Sequence, residues 1–163
     1  MIRRMEEADI CRVAEIHVFG WRSAFRGIVS DEVLLGKMSV QRSSERFSEA
    51  FKNKSEEVHI FDDGLIKAFI SICPCRDEDK PTSFELAGIY VEPLLKGQGI
   101  GRQMVAFCEK TALEQGYKEN CLWTPKENMK SRRFYENMGY IADGKTQVHE
   151  RLGFALVRYG KKL

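Results

Sequence analysis

No stretch of this chain is long and apolar enough to span a bilayer. Its most apolar segments, around Leu65 to Pro74 and Phe84 to Val91, are strand-length and interrupted by Lys67 and Glu85, far short of the ~20 residues a spanning helix needs. No membrane role is expected. The opening MIRRMEEADICRVAEI mixes charges through its first turns and lacks the apolar core of a secretory signal, so a cytoplasmic location is expected. Charge of one sign is missing too: 26 Lys and Arg stand against 24 Asp and Glu, a net +2. No global basic field speaks for nucleic acid or an anionic surface as partner, and any anion site must be local. The three histidines, His17, His59 and His149, lie far apart and pair with no cysteine at zinc spacing, so no metal is expected. The five cysteines form no C-x-x-C pair and sit inside apolar segments. They read as buried free thiols of a reducing compartment.

What is present is an ordinary globular balance over 163 residues, 43% hydrophobic and 31% charged. A chain of this length buries roughly two-thirds of the surface its unfolded form exposes, and a single domain over residues 1–163 is expected. Ile2 to Met5 reads as an edge strand. Asp9 is placed as the cap of a helix with Ile10, Val13, Ala14, Ile16 and His17 on one face, its ragged end bracketed by Gly20 and Gly27. Helices are expected after Ser30 and over Val40 to Lys52. Asp62-Asp63-Gly64 between two apolar runs is a hairpin signal, because Asp-Gly suits positive φ. Arg76 to Thr82 reads as a surface loop and Ser83 to Val91 as the next strand, with Gly88 marking a bulge or a close backbone approach. A helix then runs from Gly99 to about Gln115, Asn120 to Thr124 forms a strand, and Asn128 caps a short helix. Tyr140 to Ala142 and Phe154 to Tyr159 close the sheet. Strand, helix, strand implies a parallel crossover, so the class is mixed α/β.

The sharpest local feature is Lys96-Gly97-Gln98-Gly99-Ile100-Gly101-Arg102 between a strand and a long helix. At a helix start several N–H groups lack partners and the macrodipole is positive, so an anion such as pyrophosphate is stabilised there. Glycines let the anion reach the backbone, and Lys96 and Arg102 add local charge. A dinucleotide fingerprint would need glycine where Arg102 stands, and a Walker loop would need Lys-Ser or Lys-Thr after Gly101; neither is present.

Gly88-Ile89-Tyr90-Val91 followed by Lys96 to Gly101 resembles the acyl-CoA pyrophosphate loop of the Gcn5-related N-acetyltransferases. The later block from Asn128 through Ser131, Phe134 and Tyr135 to Gly139-Tyr140 resembles that family's Asn-to-Tyr helix. The resemblance implies a central, mostly antiparallel mixed sheet flanked by helices, with a bulged fourth strand splayed from the fifth. It also implies acetyl-CoA as cosubstrate, paired by the backbone of Ile89, Tyr90 and Val91. Lys96, Gly97, Gln98, Gly99, Ile100, Gly101 and Arg102 would hold the pyrophosphate, and Asn128 would bond the pantetheine arm. Lys96 stands where the family usually has Arg or Gln, which keeps charge and loses a planar fork.

Aminolysis of a thioester needs a neutral amine, and an alkylammonium near pKa ~10 is mostly protonated at neutral pH. Glu85, a carboxylate inside an apolar strand, is the candidate base, and it matches the place where many family members put theirs. Tyr135 matches the family tyrosine that protonates the leaving thiolate. Trp123 stands where relatives that modify protein N-termini carry glutamate. Trp21 and Phe25 are candidate contacts for the acceptor. The resemblance thus implies direct acetyl transfer to a primary amine of a small molecule or peptide, with a homodimer plausible by family habit. A non-catalytic acyl-CoA sensor and a transferase for a longer acyl group remain open alternatives.

Overall fold

The computed structural model describes residues 1–54, 56–150 and 152–163. Among these residues seven strands form one sheet: β1 (Ile2–Arg4), β2 (Glu57–Asp62), β3 (Ile66–Pro74), β4 (Phe84–Val91), β5 (Glu119–Pro125), β6 (Ile141–Val148) and β7 (Ala155–Lys162). Their spatial order is β1-β2-β3-β4-β5-β7-β6. Every neighbouring pair is antiparallel except β4 and β5, which run parallel. Among the described residues five α-helices flank the sheet: α1 (Ile10–Phe25), α2 (Asp31–Gly36), α3 (Val40–Asn53), α4 (Ile100–Glu114) and α5 (Met129–Glu136). This is the mixed, mostly antiparallel architecture expected from the sequence. The one parallel pair is joined through α4, because parallel neighbours cannot be connected by a tight turn.

Strand alternation divides the core in two. Ala68, Ile70 and Ile72 of β3, with Phe84 and Leu86 of β4, face α4, where Ile100, Met104, Val105, Cys108 and Ala112 form the buried stripe. On the other face Phe69, Val58 and Ile60 pack against Val13, Ala14 and Ile16 of α1 and Phe47 of α3. A third cluster, Trp21, Phe25, Val29, Leu34 and Phe154, gathers the end of α1, α2 and the segment before β7. The expected hairpin forms: Gly64 has φ +102°, and its N–H donates to Asp62 Oδ1 at 3.0 Å.

Several expectations need correction. Asp9 is not the side-chain cap of α1; its carboxylate accepts from Arg3 at 2.7 and 3.1 Å and from the Glu6 N–H at 2.8 Å, closing a turn before the helix. Ala87, rather than Gly88, is the bulged residue, since Gly88 pairs with Ser71 and Leu86 with Ile72. Not every cysteine is buried, for Cys11 is exposed and Cys75 half-buried, although all five are free. The closing strand expected over Tyr140 to Ala142 is an eight-residue edge strand, β6.

Nor does α1 fray at Gly20; the helix runs through it to Phe25. A Cβ at Gly20 would lie 2.7 Å from Tyr90 Cδ1, so this glycine lets the β4 ring lie directly on the helix. Helix propensity favours Ala over Gly by about 0.8–1.0 kcal/mol, whereas overpacking costs about 1–3 kcal/mol. Gly20→Ala should therefore lower the free energy of unfolding measured with denaturant. With the ring removed by Tyr90→Ala, the same substitution should become stabilising. A net gain from Gly20→Ala alone would show that the contact with Tyr90 does not hold this position.

Candidate active site

The site begins with a failure of pairing. β4 and β5 are in register at Phe84 with Asn120, Glu85 with Cys121 and Leu86 with Leu122, and there the ladder stops. The next residue, Ala87, is the bulge on the β3 side. A bulge bends its strand and raises the local twist, so β4 continues with β3 and leaves β5 behind. A cleft of about 580 Å³ opens between them. Ala87, Gly88, Ile89, Tyr90 and Val91 line one wall, and Trp123, Thr124 and Pro125 line the other. Gly20, Ser23, Ala24 and Phe25 of α1 reach it from one side; Asn128, Lys130, Ser131, Phe134 and Tyr135 reach it from α5.

Lys96, Gly97, Gly99, Ile100, Gly101 and Arg102 close its mouth. Gly97 and Gly99 have φ +85° and +80°, a left-handed backbone that side chains rarely adopt. Gly99 is the N-cap of α4 and carries no side-chain cap, so the first N–H groups of that helix point outward without intrahelical acceptors. Gly101 serves packing instead, since a Cβ there would come within 3.3 Å of Phe134 Cζ. Lys96 Nζ bonds Ser23 Oγ at 3.1 Å, tying the loop to α1. Burial, followed by the charge of Lys130, lowers the Lys96 pKa. Lys96, Arg102 and Lys130 thus bring three cations to the mouth of a chain whose net charge is only +2.

At the α5 end, Asn128 Oδ1 accepts from the Ser131 N–H at 3.1 Å as the helix cap, leaving its amide NH₂ as a donor. Tyr135 is 7% exposed. Its hydroxyl bonds no side chain or backbone group among the described residues and is not among their buried, unpartnered atoms, so it opens on the cleft. Burial, with Tyr90 and Cys108 nearby, pushes its phenol far above the usual value, so the proton is retained at neutral pH. Tyr90 is pushed up to about 12, mainly by burial.

Of the residues singled out in the sequence, the structure brings Tyr135, Asn128, Phe25, the β4 trio and the glycine loop to one cleft, with Gln98 exposed outside its lining. Trp21 stacks on Phe25 with ring centroids 3.9 Å apart and lies behind it in the third core cluster. Glu85 does not line the cleft. It is 4% exposed, and Arg76 engages both of its oxygens: Nη2 to Oε1 at 2.6 Å, with Nε and the backbone N–H to Oε2 at 3.0 and 3.2 Å. Among the described residues no carboxylate or imidazole lines the cleft. His17 packs edge-on to Tyr90 at 5.0 Å, and burial pulls its pKa down to about 3, so it stays neutral within the core.

Sequence reasoning missed Lys130 and the role of the 76–82 loop. Lys130 stands two residues after Asn128, in the first turn of a helix whose N-terminal end faces the cleft, and that spacing could have found it. The loop carries no local signal of where it docks. Arg158 of β7 is 4% exposed and collects Asp77, Asp79 and Asp143 at 2.9, 2.7 and 2.6 Å. Asp77 also accepts the Trp123 indole N–H at 3.0 Å, so the cleft's β5 wall is oriented from this loop.

Residues 29–140 match the family model described as the acetyltransferase (GNAT) family, and the chain belongs to that family of acyltransferases. A Bacillus subtilis protein named as an uncharacterised N-acetyltransferase, YuaI, is 26% identical over 130 residues, 78% of this chain and 72% of its own length. The peptidyl-lysine N-acetyltransferase YjaB of Salmonella typhimurium is 24% identical over 128 residues, 72% of this chain and 80% of its own. The crystal structure of the PaiA N-acetyltransferase of Thermoplasma acidophilum, in complex with coenzyme A, superposes with TM-score 0.73 at 21% identity, covering 100% of this chain and 98% of that one.

Hydrogen bonds from Arg158 hold the Asp79 carboxyl well below its usual range, against a smaller opposing effect of burial. A pKa depressed in the native state gives stability that is present above the unfolded value, 3.8, and is lost as pH falls toward the native one. Acid titration of stability should therefore be flatter in Asp79→Asn than in the unaltered chain below about pH 4. Parallel curves would mean that the Arg158 pair adds nothing to acid sensitivity.

Proposed function

We propose that this chain transfers an acetyl group from acetyl-CoA to a primary amine of a small molecule or peptide, by direct attack and without a covalent acyl-enzyme. The carrying observation is the end of β4–β5 pairing at Leu86 and Leu122, which leaves a strand edge open beside an uncapped helix N-terminus. Such an edge presents unpaired N–H and C=O groups. The residues fit an acyl-CoA: an extended amide-bearing arm can pair along Ile89, Tyr90 and Val91, with Asn128 as a second donor. The pyrophosphate suits the N–H groups that begin α4, with Lys96, Arg102 and Lys130 supplying charge. When bound, the cosubstrate supplies an activated acetyl thioester.

The residues then divide the proton work. The Tyr135 hydroxyl, kept protonated by burial, donates to the departing sulfur. Glu85 is assigned as the final acceptor of the amine's proton. It is the carboxylate of β4, two residues before the bulge, and among the described residues the cleft lining itself holds no carboxylate or imidazole. Because Arg76 occupies both oxygens, a proton arriving there must do so at the expense of that pair. The curated relative named for peptidyl-lysine supports a primary amine as acceptor. Phe25 and Trp123 flank the position such an amine would take, with Trp21 supporting Phe25 from behind.

CoA at a hundredfold excess over its dissociation constant should stabilise the folded chain by about 2.7 kcal/mol, read as a melting shift that Gly99→Val abolishes. Tyr135→Phe should lower turnover while acetyl-CoA affinity stays within a few-fold. Weaker binding with unaltered turnover at saturation would make Tyr135 a packing residue.

Glu85→Gln should lower turnover about 10²–10⁴-fold at neutral pH and recover partly where the amine is already neutral. A pH–rate profile identical to that of the unaltered chain would remove Glu85 from the reaction.

A further inference from the structure

Where β3 ends, the chain leaves the plane of the sheet. Cys75 still donates its N–H to Ser83 O at 2.9 Å, but the next two residues cross the face turned away from α4. The Arg76 N–H reaches the Glu85 carboxylate of β4, and Asp77 reaches the Trp123 indole of β5. This crossing carries the half-buried Cys75 over the buried Cys121 of β5, and the two sulfurs stand 3.1 Å apart. A disulfide needs about 2.05 Å, so roughly an ångström of closure separates the thiol pair from a bond. The other thiols are placed differently. Cys108 lies on the α4 face and accepts from Asn120 Nδ2 at 3.0 Å, Cys73 is buried, and Cys11 is exposed on α1.

We propose that Cys75 and Cys121 form a specific oxidation site, converted by hydrogen peroxide into an intramolecular disulfide that fastens the crossing segment to β5. The balance is simple. The Cys75 sulfur attacks one peroxide oxygen, the O–O bond breaks, and a sulfenic acid and water result. The Cys121 sulfur then attacks the sulfenic sulfur, the S–O bond breaks, and the oxygen leaves as a second water with the thiol proton. The two thiols lose two electrons and two protons, and the peroxide is reduced to water. Order follows access, since of the two only the half-buried Cys75 meets solvent, and Cys121 can act only from within. Burial and the neighbouring Cys75 push the Cys121 thiol up, so the resolving step waits for an activated partner sulfur. The bond would hold Arg76 on Glu85 and Asp77 on Trp123, next to the cleft wall.

The test is mild hydrogen peroxide on the full folded chain, followed by alkylation, digestion and peptide mass spectrometry. The expected product joins the Cys75 and Cys121 peptides, is lighter than the two thiols by two hydrogens, and is reversed by dithiothreitol. Oxidised chain should melt roughly 5 °C or more above reduced chain, with slowed amide exchange over residues 76–82. Cys75→Ser, at the half-buried position, should fold and show neither the cross-link nor the melting shift. Three results would overturn the proposal: Cys75 carried to a sulfinic acid while Cys121 remains alkylatable, a Cys73–Cys121 link forming as readily in Cys75→Ser, or Cys11 appearing in cross-links as often as Cys121.

Discussion

One extra residue in β4 is the constraint on which the rest of the structure depends. Without Ala87 between two registers, β4 could remain hydrogen-bonded to both β3 and β5 along its whole length. With it, the strand must choose, and the antiparallel β3 ladder wins. The buried alternation of Ala68, Ile70 and Ile72 against α4 explains that choice, because a slip in β3–β4 register would turn these side chains to the wrong face. The β5 side of β4 is then left open, an edge in the middle of a sheet. Buried backbone groups are seldom left without partners, and this opening is tolerated because it lines a cleft that water or a ligand can enter.

The same geometry removes the need for a basic protein. Positive potential at the mouth comes first from oriented N–H groups, whose partial charges add nothing to the net charge, and second from Lys96, Arg102 and Lys130. The two left-handed glycines let the loop turn into α4 without side chains over the N–H groups, while Gly101 admits Phe134. The segment Lys96-Gly97-Gln98-Gly99-Ile100-Gly101-Arg102 therefore serves conformation, packing and charge together, which is why so short a run carried so much information.

That run was legible because its requirements are local, as was the Asp-Gly hairpin. The crossover through α4 was legible from periodicity, since a long amphipathic pattern between two strand-length apolar runs has few solutions. Other features depend on distant partners. Asp9 has the chemistry of a cap, and only the position of Arg3 on β1 directs its carboxylate elsewhere. Gly20 looks like a helix end until the Tyr90 ring is placed against it. Only the start of β6 was legible, over Tyr140 to Ala142, because all eight of its residues are exposed, so neither face imprints an apolar alternation. Glu85 was legible as an unusual carboxylate in an apolar strand, but its clamp comes from Arg76, nine residues earlier in a loop with no regular pattern.

That loop shows how charge can position what hydrophobic contact cannot. The 76–82 segment contributes nothing to the three apolar clusters, yet it covers Glu85 and orients Trp123. The exposed Lys145–Asp79 pair at 3.4 Å is of the kind worth little in water. Arg158 differs because its side chain is 5% exposed and its Nε, Nη1 and Nη2 all meet carboxylates. Desolvating a guanidinium is costly, and the cost is offset only when its donors are matched. Here the matching carboxylates come from the loop and from β6, so the buried cation holds the loop and a strand already paired to β7 on the same side of β5 and β7. An apolar residue at position 158 could fill the volume, but it would not fix the direction of Asp77 and hence of the Trp123 ring. The cleft therefore has one wall set by a backbone irregularity and the other by an ion network, two constraints that can vary independently.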